Sequence, residues 1–399
     1  MLASAFHRPR HFLAFAAAAA LLLSGCYSGR AAWGGLRMMA QRRSVARLLA
    51  DPTTDPELAG RLRLAGEMAL FAAERLALPV GSSYDSYVEL GRPYATWTVS
   101  ATPELSIESE VWCFPVAGCV SYRGYFSEQA AERFGDRLAD RGLDVEVGGV
   151  RAFSTLGWFR DPLLSSFLAL PEPELAALLF HESAHRRLYV KGDTPFNESF
   201  ASLVEEAGVA RWLGEQGGAE ELADWLAARR RDQQVVNLAL ATRASLAEAF
   251  AEPRPDEWKR RRKAALFDEL RAAYRRRHAE WGTRWDGFFD DGLNNARLAA
   301  LGAYNDLVPG LRRLLAAENG DLERFYVAAE ALTDLPAEER RSRLVRKEDL
   351  EVAGVVVGLV SDRAAADAAK VVIPVAARQH HQQPLAHRRR PPAGGAVQL

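Results

Sequence analysis

Apolar residues follow two different spacings along this chain. From Pro171 to about Leu335 they recur mainly three and four residues apart, which predicts a series of helices. Between Tyr84 and Phe153 they fall in short runs, which predict strands. Within that second region we expect strand 95–99, strand 120–125, helix 127–141, strand 144–147 and strand 150–158. The sequence therefore predicts an α+β protein that is predominantly helical and carries a small mixed or antiparallel sheet on its N-terminal side.

The first residues of the chain have the composition of an export signal. Arg8 and Arg10 precede an apolar run at 12–23, which is too short to span a bilayer comfortably. The run ends in Leu-Ser-Gly-Cys26, which resembles the lipobox of bacterial lipoproteins, where the cysteine carries the lipid. Tyr27 follows rather than aspartate. The resemblance thus implies a lipid-anchored protein of the bacterial cell envelope, at the outer membrane and facing the periplasm.

These patterns divide the chain into five predicted segments. They are a signal peptide at 1–25, N-terminal helices at 26–80, a small α+β sheet unit at 81–165, a helical catalytic unit at 166–335 and a low-complexity tail at 336–399. In the second segment, residues 51–56 separate a short amphipathic helix at 27–50 from a helix that ends near Ala77. Order is expected to fade after Leu335, and none of the histidines in the tail is predicted to belong to a site.

Composition narrows the possible partners. Apolar residues make up 48% of the chain, which is enough for a sizeable core. The net charge is −1, and it becomes −3 without residues 1–25, because that segment holds two arginines and no acid. This balance gives no reason to expect a nucleic-acid partner. The basic runs at 229–231 and 259–263 are accordingly predicted to be solvated helix faces, and the oligomeric state stays open.

Two cysteines follow Cys26. Cys113 and Cys119 lie between two strand-like runs, and the five intervening residues include Pro115 and Gly118, which could turn a hairpin. Because an exported compartment permits disulfides, we predict that these two cysteines are bonded to each other. The alternative is a pair of buried thiols. A zinc site is disfavoured, because no histidine lies nearby in the sequence.

The chain contains one H-E-x-x-H motif, formed by His181, Glu182 and His185. Positions i and i+4 share a helix face, so both imidazoles can bind a single metal ion. Glu182 lies about 100° round the helix from His181, at about 3.6 residues per turn. From there its carboxylate can reach a water molecule without being a ligand. The alternative is a surface helix with two solvated histidines.

A catalytic zinc ion usually has three protein ligands, so a third is needed. Glu198 is the first candidate, because it lies in a second predicted helix that follows the turn at 191–195 and runs to about Leu213. Two antiparallel helices joined by this turn would bring Glu198 back to the histidines. Glu205 and Glu206 on the same helix are the alternatives.

Four further polar residues could act on a substrate. His278 is a possible transition-state donor, although it also fits a surface position. Asn294, Asn295 and Tyr304 stand in an apolar helical frame, where an amide or the tyrosine hydroxyl could stabilise an oxyanion. The alternative is a helix cap and a buried tyrosine.

Taken together, six stretches resemble a bacterial family of lipoproteins described as predicted aminopeptidases. They are 90–94 (LGRPY), 112–119 (WCFPVAGC), 154–158 (STLGW), 180–185 (FHESAH), 197–201 (NESFA) and 293–296 (LNNA). The resemblance covers roughly residues 20–335 and implies a zincin-like metallopeptidase. In such an enzyme His181, His185 and Glu198 would bind Zn²⁺, and Glu182 would be the catalytic carboxylate.

Two functions are consistent with these residues. The first is a zinc-dependent peptidase that hydrolyses peptide bonds, most simply as an aminopeptidase, with Tyr304 as a candidate oxyanion donor. The second is a non-catalytic zinc-binding lipoprotein with a structural or partner-binding role. A purely structural zinc site has no need of Glu182, so the sequence favours the first. Neither the substrate nor the choice between exo- and endopeptidase follows from the sequence.

Overall fold

Helices and short strands alternate as far as Leu164, and helices follow in the rest of the described chain. The computed structural model describes residues 27–114, 118–152, 160–216, 218–290 and 292–346. The α-helices are α1 (Tyr27–Ala40), α2 (Val45–Ala50), α3 (Pro56–Arg75), α4 (Glu128–Ala139), α5 (Ser165–Leu168), α6 (Glu172–Arg187), α7 (Thr194–Glu215), α8 (Ala219–Ala251), α9 (Asp256–Arg276), α10 (His278–Trp281), α11 (Asn295–Asn305), α12 (Val308–Ala317), α13 (Leu322–Ala331) and α14 (Ala337–Leu344). Short 3₁₀ helices lie at Asp286–Phe288 and Leu332–Asp334.

The strands form three small sheets. They are β1 (Arg43–Ser44), β2 (Ser86–Val88), β3 (Thr96–Pro103), β4 (Trp112–Phe114), β5 (Gly118–Val120), β6 (Arg123–Tyr125), β7 (Leu143–Val150) and β8 (Leu163–Leu164). One sheet is mixed, with β2 antiparallel to β1 and parallel to β8. The second is antiparallel in the order β6-β3-β7, and the third is the β4–β5 hairpin. The prediction of a mainly helical α+β protein with small mixed and antiparallel sheets is therefore confirmed.

The main hydrophobic core lies around α6. This helix packs against α7 along its length and against α3 on another side, and both of its neighbours are strongly apolar where they meet it. Phe180, Phe196 and Phe200 are fully buried there. Because almost every residue from Leu175 to His185 is buried, α6 is a central helix rather than a surface helix. This burial decides against the alternative of two solvated histidines.

The structure corrects the boundaries of two predicted strands and one predicted helix. The run at 120–125 is split into β5 and β6 at Tyr122, because β5 pairs with β4 whereas β6 pairs with β3. The strand expected at 150–158 does not start at Val150, which instead ends β7; residues 153–159 lie outside the described residues. The helix expected at 27–50 is interrupted by β1, whose backbone pairs with β2.

The segment after Leu335 begins with a helix, so order does not end where the sequence predicted. In α14 Arg340 is buried, forms an ion pair with Asp193 and donates hydrogen bonds to the carbonyl oxygens of Leu332 and Leu335. Because this stretch contains many charged residues, the sequence does not show that one of them, Arg340, is buried and holds the helix in place. The rest of the predicted tail, from residue 347, lies outside the described residues, as do the predicted signal peptide and Cys26. None of the helices in the described ranges combines the length and apolarity needed to cross a bilayer.

Candidate metal centre and active site

The turn between α6 and α7 is held in place by side-chain hydrogen bonds. Asp193 caps α7 by accepting a hydrogen bond from the backbone N–H of Phe196. The Asn197 amide donates to the carbonyl of Val190 at 2.8 Å and accepts from its N–H at 2.7 Å. These contacts fix the angle between the two helices. The residue after Asn197 is therefore directed at the motif on α6.

The structure brings the three predicted ligands together. The Nε2 atoms of His181 and His185 lie 3.3 and 3.5 Å from the same oxygen, Oε2 of Glu198. One donor atom from each of the three buried residues lies within 4.8 Å of the others. Two imidazole nitrogens and a carboxylate oxygen form a donor set that zinc commonly has in catalytic sites. By geometry and donor chemistry, these residues fit one divalent ion.

The charges of these groups compensate one another. Burial lowers the pKa of His181, but the hydrogen bonds and charges of Glu198 and Glu205 outweigh it and raise this pKa to about 10. Burial raises the pKa of Glu198, but the neighbouring His185 and His181 bring it well below its usual range. The carboxylates of this pocket therefore favour a positive charge beside the imidazoles.

Glu182 occupies a different environment on the same helix. It is only half-buried, whereas both histidines are buried. Desolvation raises its pKa, although the charges of His185 and His181 act in the opposite direction. A carboxylate with a raised pKa beside a group of metal ligands is suited to accept and return a proton.

A buried carboxylate and a buried arginine support His181 from behind. The Nδ1 atom of His181 lies 3.2 Å from Oε2 of Glu205, and Nη2 of Arg229 lies 3.3 Å from the other oxygen of Glu205. Metal-binding histidines usually donate their second ring N–H to such a carboxylate, which fixes the tautomer and the ring orientation. The prediction that Arg229 belongs to a solvated face is therefore wrong, since only 2% of this residue is exposed.

We expect Glu205→Gln to weaken zinc binding by about 10- to 100-fold, because the amide would still accept from Arg229 but would no longer hold the charge that orients His181. Competition against a fluorescent zinc chelator at fixed pH measures this affinity. The matched control is Glu215→Gln on the exposed end of α7, where the carboxylate pairs with Arg75. Equal affinities for Glu205→Gln and the unaltered protein would mean that Glu205 does not orient His181.

Three tyrosines lie close to the proposed metal ligand Glu198 or His181. The ring of Tyr304 on α11 stacks beside His181 with centroids 6.3 Å apart. Burial, together with the charge of Glu198, raises the pKa of Tyr304 well above its usual value. Tyr122, at the break between β5 and β6, has its pKa raised by burial and by the charges of Glu198 and Glu182. Burial and the charge of Glu198 also raise the pKa of Tyr189, which lies just past the end of α6. All three phenols therefore stay protonated and can donate.

The hairpin that carries Tyr122 to the site depends on one glycine. Gly118 has φ +78°, and a Cβ there would lie 2.7 Å from Cγ of Lys191 and 3.0 Å from the backbone nitrogen of Gly192. Only glycine lets the hairpin approach the α6–α7 turn so closely. Cys113 and Cys119 are directly paired across this hairpin and form a disulfide. The β5 strand is thereby fixed beside the candidate site.

Other predicted site residues have structural contacts. His278 is paired with Asp286 at 2.8 Å. Asn294 caps α11 and donates to the carbonyl of Val145, while the Asn295 amide donates to two backbone carbonyls of the loop after β3. These asparagines dock α11 on the sheet, which places Tyr304, but neither is brought to the histidines. Glu206 lies 3.5 Å from Arg312 rather than against the imidazoles.

Sequence reasoning missed Tyr122, Tyr189 and the pairing of Glu205 with Arg229. Tyr189 directly follows the predicted motif helix and could have been considered on that ground. Tyr122 comes from an element that is distant in sequence, and Arg229 comes from a run of three arginines. No local pattern identifies either residue as part of the site.

Comparison with known proteins identifies a family. A family model described as "Putative aminopeptidase" matches residues 26–344, which include every element of this site. No curated protein and no solved structure matches the chain.

Proposed function

The chain belongs to the family described as "Putative aminopeptidase", and from that membership and the site geometry we propose that it is a zinc-dependent peptidase of the bacterial envelope. The observation that carries this proposal is the convergence of His181, His185 and Glu198 within 4.8 Å, with Glu182 between the two histidines in sequence. The zincin-like character follows from the same set. For its location we propose a lipid anchor on Cys26 at the periplasmic face of the outer membrane.

We assign the metal ligands to His181, His185 and Glu198. Glu205 lies where it can accept a hydrogen bond from Nδ1 of His181, an arrangement that would direct Nε2 at the metal. Zinc bound there would supply Lewis acidity, which lowers the pKa of a water molecule and polarises a peptide carbonyl. Three protein ligands leave room for that water and for the substrate.

Glu182 is the proton carrier in this proposal. Its carboxylate takes a proton from the water molecule as the water oxygen attacks the carbonyl carbon. It then gives the proton to the nitrogen of the scissile bond as the carbon–nitrogen bond breaks. The products are a carboxylic acid and an amine, and Glu182 is again ionised. Its half-buried position allows this exchange, because the group is desolvated and yet keeps some exposure to solvent.

Tyrosine hydroxyls stabilise the negative charge that develops on the carbonyl oxygen. Tyr304 was already a candidate from the sequence, and Tyr122 lies near enough to Glu198 and Glu182 for their charges to raise its pKa. Raised pKa values keep both phenols protonated, so each can donate a hydrogen bond to an oxyanion.

Digestion of a peptide library tests the proposed activity. The purified full-length protein should release products that are one residue shorter at the amino end, as mass spectrometry would show. A chelator should abolish these products and added zinc should restore them. Internal cleavage would make the protein an endopeptidase. Bound zinc without cleavage of any peptide would favour the non-catalytic alternative.

A further inference from the structure

Helix α1 presents an exposed face that mixes apolar and basic residues. Trp33 is 69% exposed and Leu36 is 60% exposed, which is unusual for large apolar side chains on a helix that is otherwise packed. Arg30 and Arg37 are exposed as well. At about 100° per residue these four side chains fall within about 120° of the helix circumference, so they form one face.

The opposite side of α1 is fixed to the sheet unit. Gly34 lies so close to Phe126 that a Cβ would be 2.3 Å from its ring. The hydroxyl of Tyr27 donates to the carbonyl of Gly124 at 2.9 Å and accepts from the N–H of the same residue at 3.1 Å. The guanidinium of Arg123 lies 3.9 Å from the centre of the Tyr27 ring. Helix α1 is therefore part of the folded protein and not a linker.

Between α1 and α4 lies a groove with a volume of about 650 Å³. Six arginines contribute to its lining: Arg30, Arg37, Arg92, Arg123, Arg133 and Arg137. The described residues that line it include no aspartate or glutamate. Trp33 also contributes to the lining, so the exposed face of α1 and the groove form one continuous surface. We call this surface the arginine groove.

Most of the positive charge of the arginine groove is not paired with a described carboxylate. Most arginines of the helical unit form an ion pair with a carboxylate. Five arginines of the groove form no such pair with a described carboxylate: Arg37, Arg92, Arg123, Arg133 and Arg137. The pKa of Arg92 is lowered by burial and further by the charge of Arg37, which shows that two cations lie close together. In a protein whose net charge is near zero, such a cluster favours an anionic partner.

We propose that the arginine groove binds the anionic headgroups of a phospholipid membrane, with Trp33 and Leu36 inserted at the headgroup level. A basic cluster attracts anionic lipid, and exposed tryptophan and leucine beside it are typical of helices that lie in the interface. A nucleic acid or an acidic peptide could also bind to the positive charge, but neither partner would explain why two apolar side chains are exposed beside it. Helix α1 begins directly after Cys26, so a lipid on that residue would bring the groove to the bilayer.

Vesicle binding by the full-length chain tests the inference. The protein tested carries Cys26→Ala, so that it cannot be acylated. This protein should bind vesicles with about one-third phosphatidylglycerol much more strongly than vesicles of pure phosphatidylcholine. Arg133→Glu/Arg137→Glu should weaken binding to the anionic vesicles by about thirtyfold or more, since two attractive charges become repulsive. Any contribution from residues 1–25 is the same in the parent protein and the variant when both are measured on the same vesicles. Hydrolysis of soluble peptides should not change.

The matched control is Arg230→Glu/Arg231→Glu, which makes the same charge change at two exposed positions of α8. It should weaken vesicle binding by less than about threefold, as long-range charge alone requires. Equal losses in the two double variants would reduce the effect to net charge and overturn the proposal. The proposal would also be overturned if the groove variant bound as well as its parent or if Trp33→Ala kept full binding. Release of the protein from vesicles by millimolar inorganic phosphate would overturn it as well.

Discussion

Glu182→Gln should lower kcat/KM for peptide hydrolysis by about 100- to 10,000-fold and leave the zinc content at one ion per chain. The amide has nearly the shape of the carboxylate, so the packing of α6 is preserved. It cannot take the proton from water, however, and therefore removes the base without removing a ligand. Peptide turnover and elemental analysis on the same preparation measure the two quantities.

The control for this variant is Glu174→Gln, which makes the same chemical change two turns earlier on α6, where the carboxylate faces Arg284 at 3.5 Å. It should keep activity within a few-fold. If Glu182→Gln cleaves peptides at the normal rate with zinc bound, another group is the base. If the variant loses its zinc, Glu182 is a ligand and the assignment of the three ligands must change.

The geometry of the proposed metal centre was predictable because it depends on local rules. The spacing of His181 and His185 places them on one helix face, and the turn residues at 191–195 predict that the next helix runs back along the first. Burial on both sides of α6 follows from apolar residues on most of its faces. Periodicity and turn chemistry were therefore sufficient to bring Glu198 beside the histidines.

The groups around that centre were not predictable, because they depend on tertiary packing. Arg229 is one of three consecutive arginines on α8, and only its own direction towards α7 makes it a buried partner of Glu205. Tyr122 reaches the site because the chain changes sheets there, which depends on the strand pairing of β5 and β6. Arg340 is hidden in a charged stretch in the same way. A local pattern cannot say which of several like side chains meets a distant partner.

The second large effect is expected for Glu198→Gln, which should weaken zinc binding by more than about 100-fold and abolish hydrolysis. An amide oxygen is a poor zinc ligand, and losing a direct ligand must cost more than the 10- to 100-fold that follows loss of an outer partner. Equilibrium dialysis against buffered zinc gives the affinity. Thermal unfolding in the presence of chelator shows whether the metal-free fold is kept.

Glu206→Gln is the variant that discriminates between the possible third ligands. Glu206 lies about two turns beyond Glu198 on α7, directly after Glu205, and its carboxylate faces Arg312. Its replacement should leave zinc affinity and turnover within a few-fold, even if the lost ion pair lowers thermal stability. Should Glu206→Gln lose zinc while Glu198→Gln retains it, the third ligand would be Glu206. The active site would then have to form by a rotation of α7, since the present orientation of that helix directs Glu198, and not Glu206, at both imidazoles.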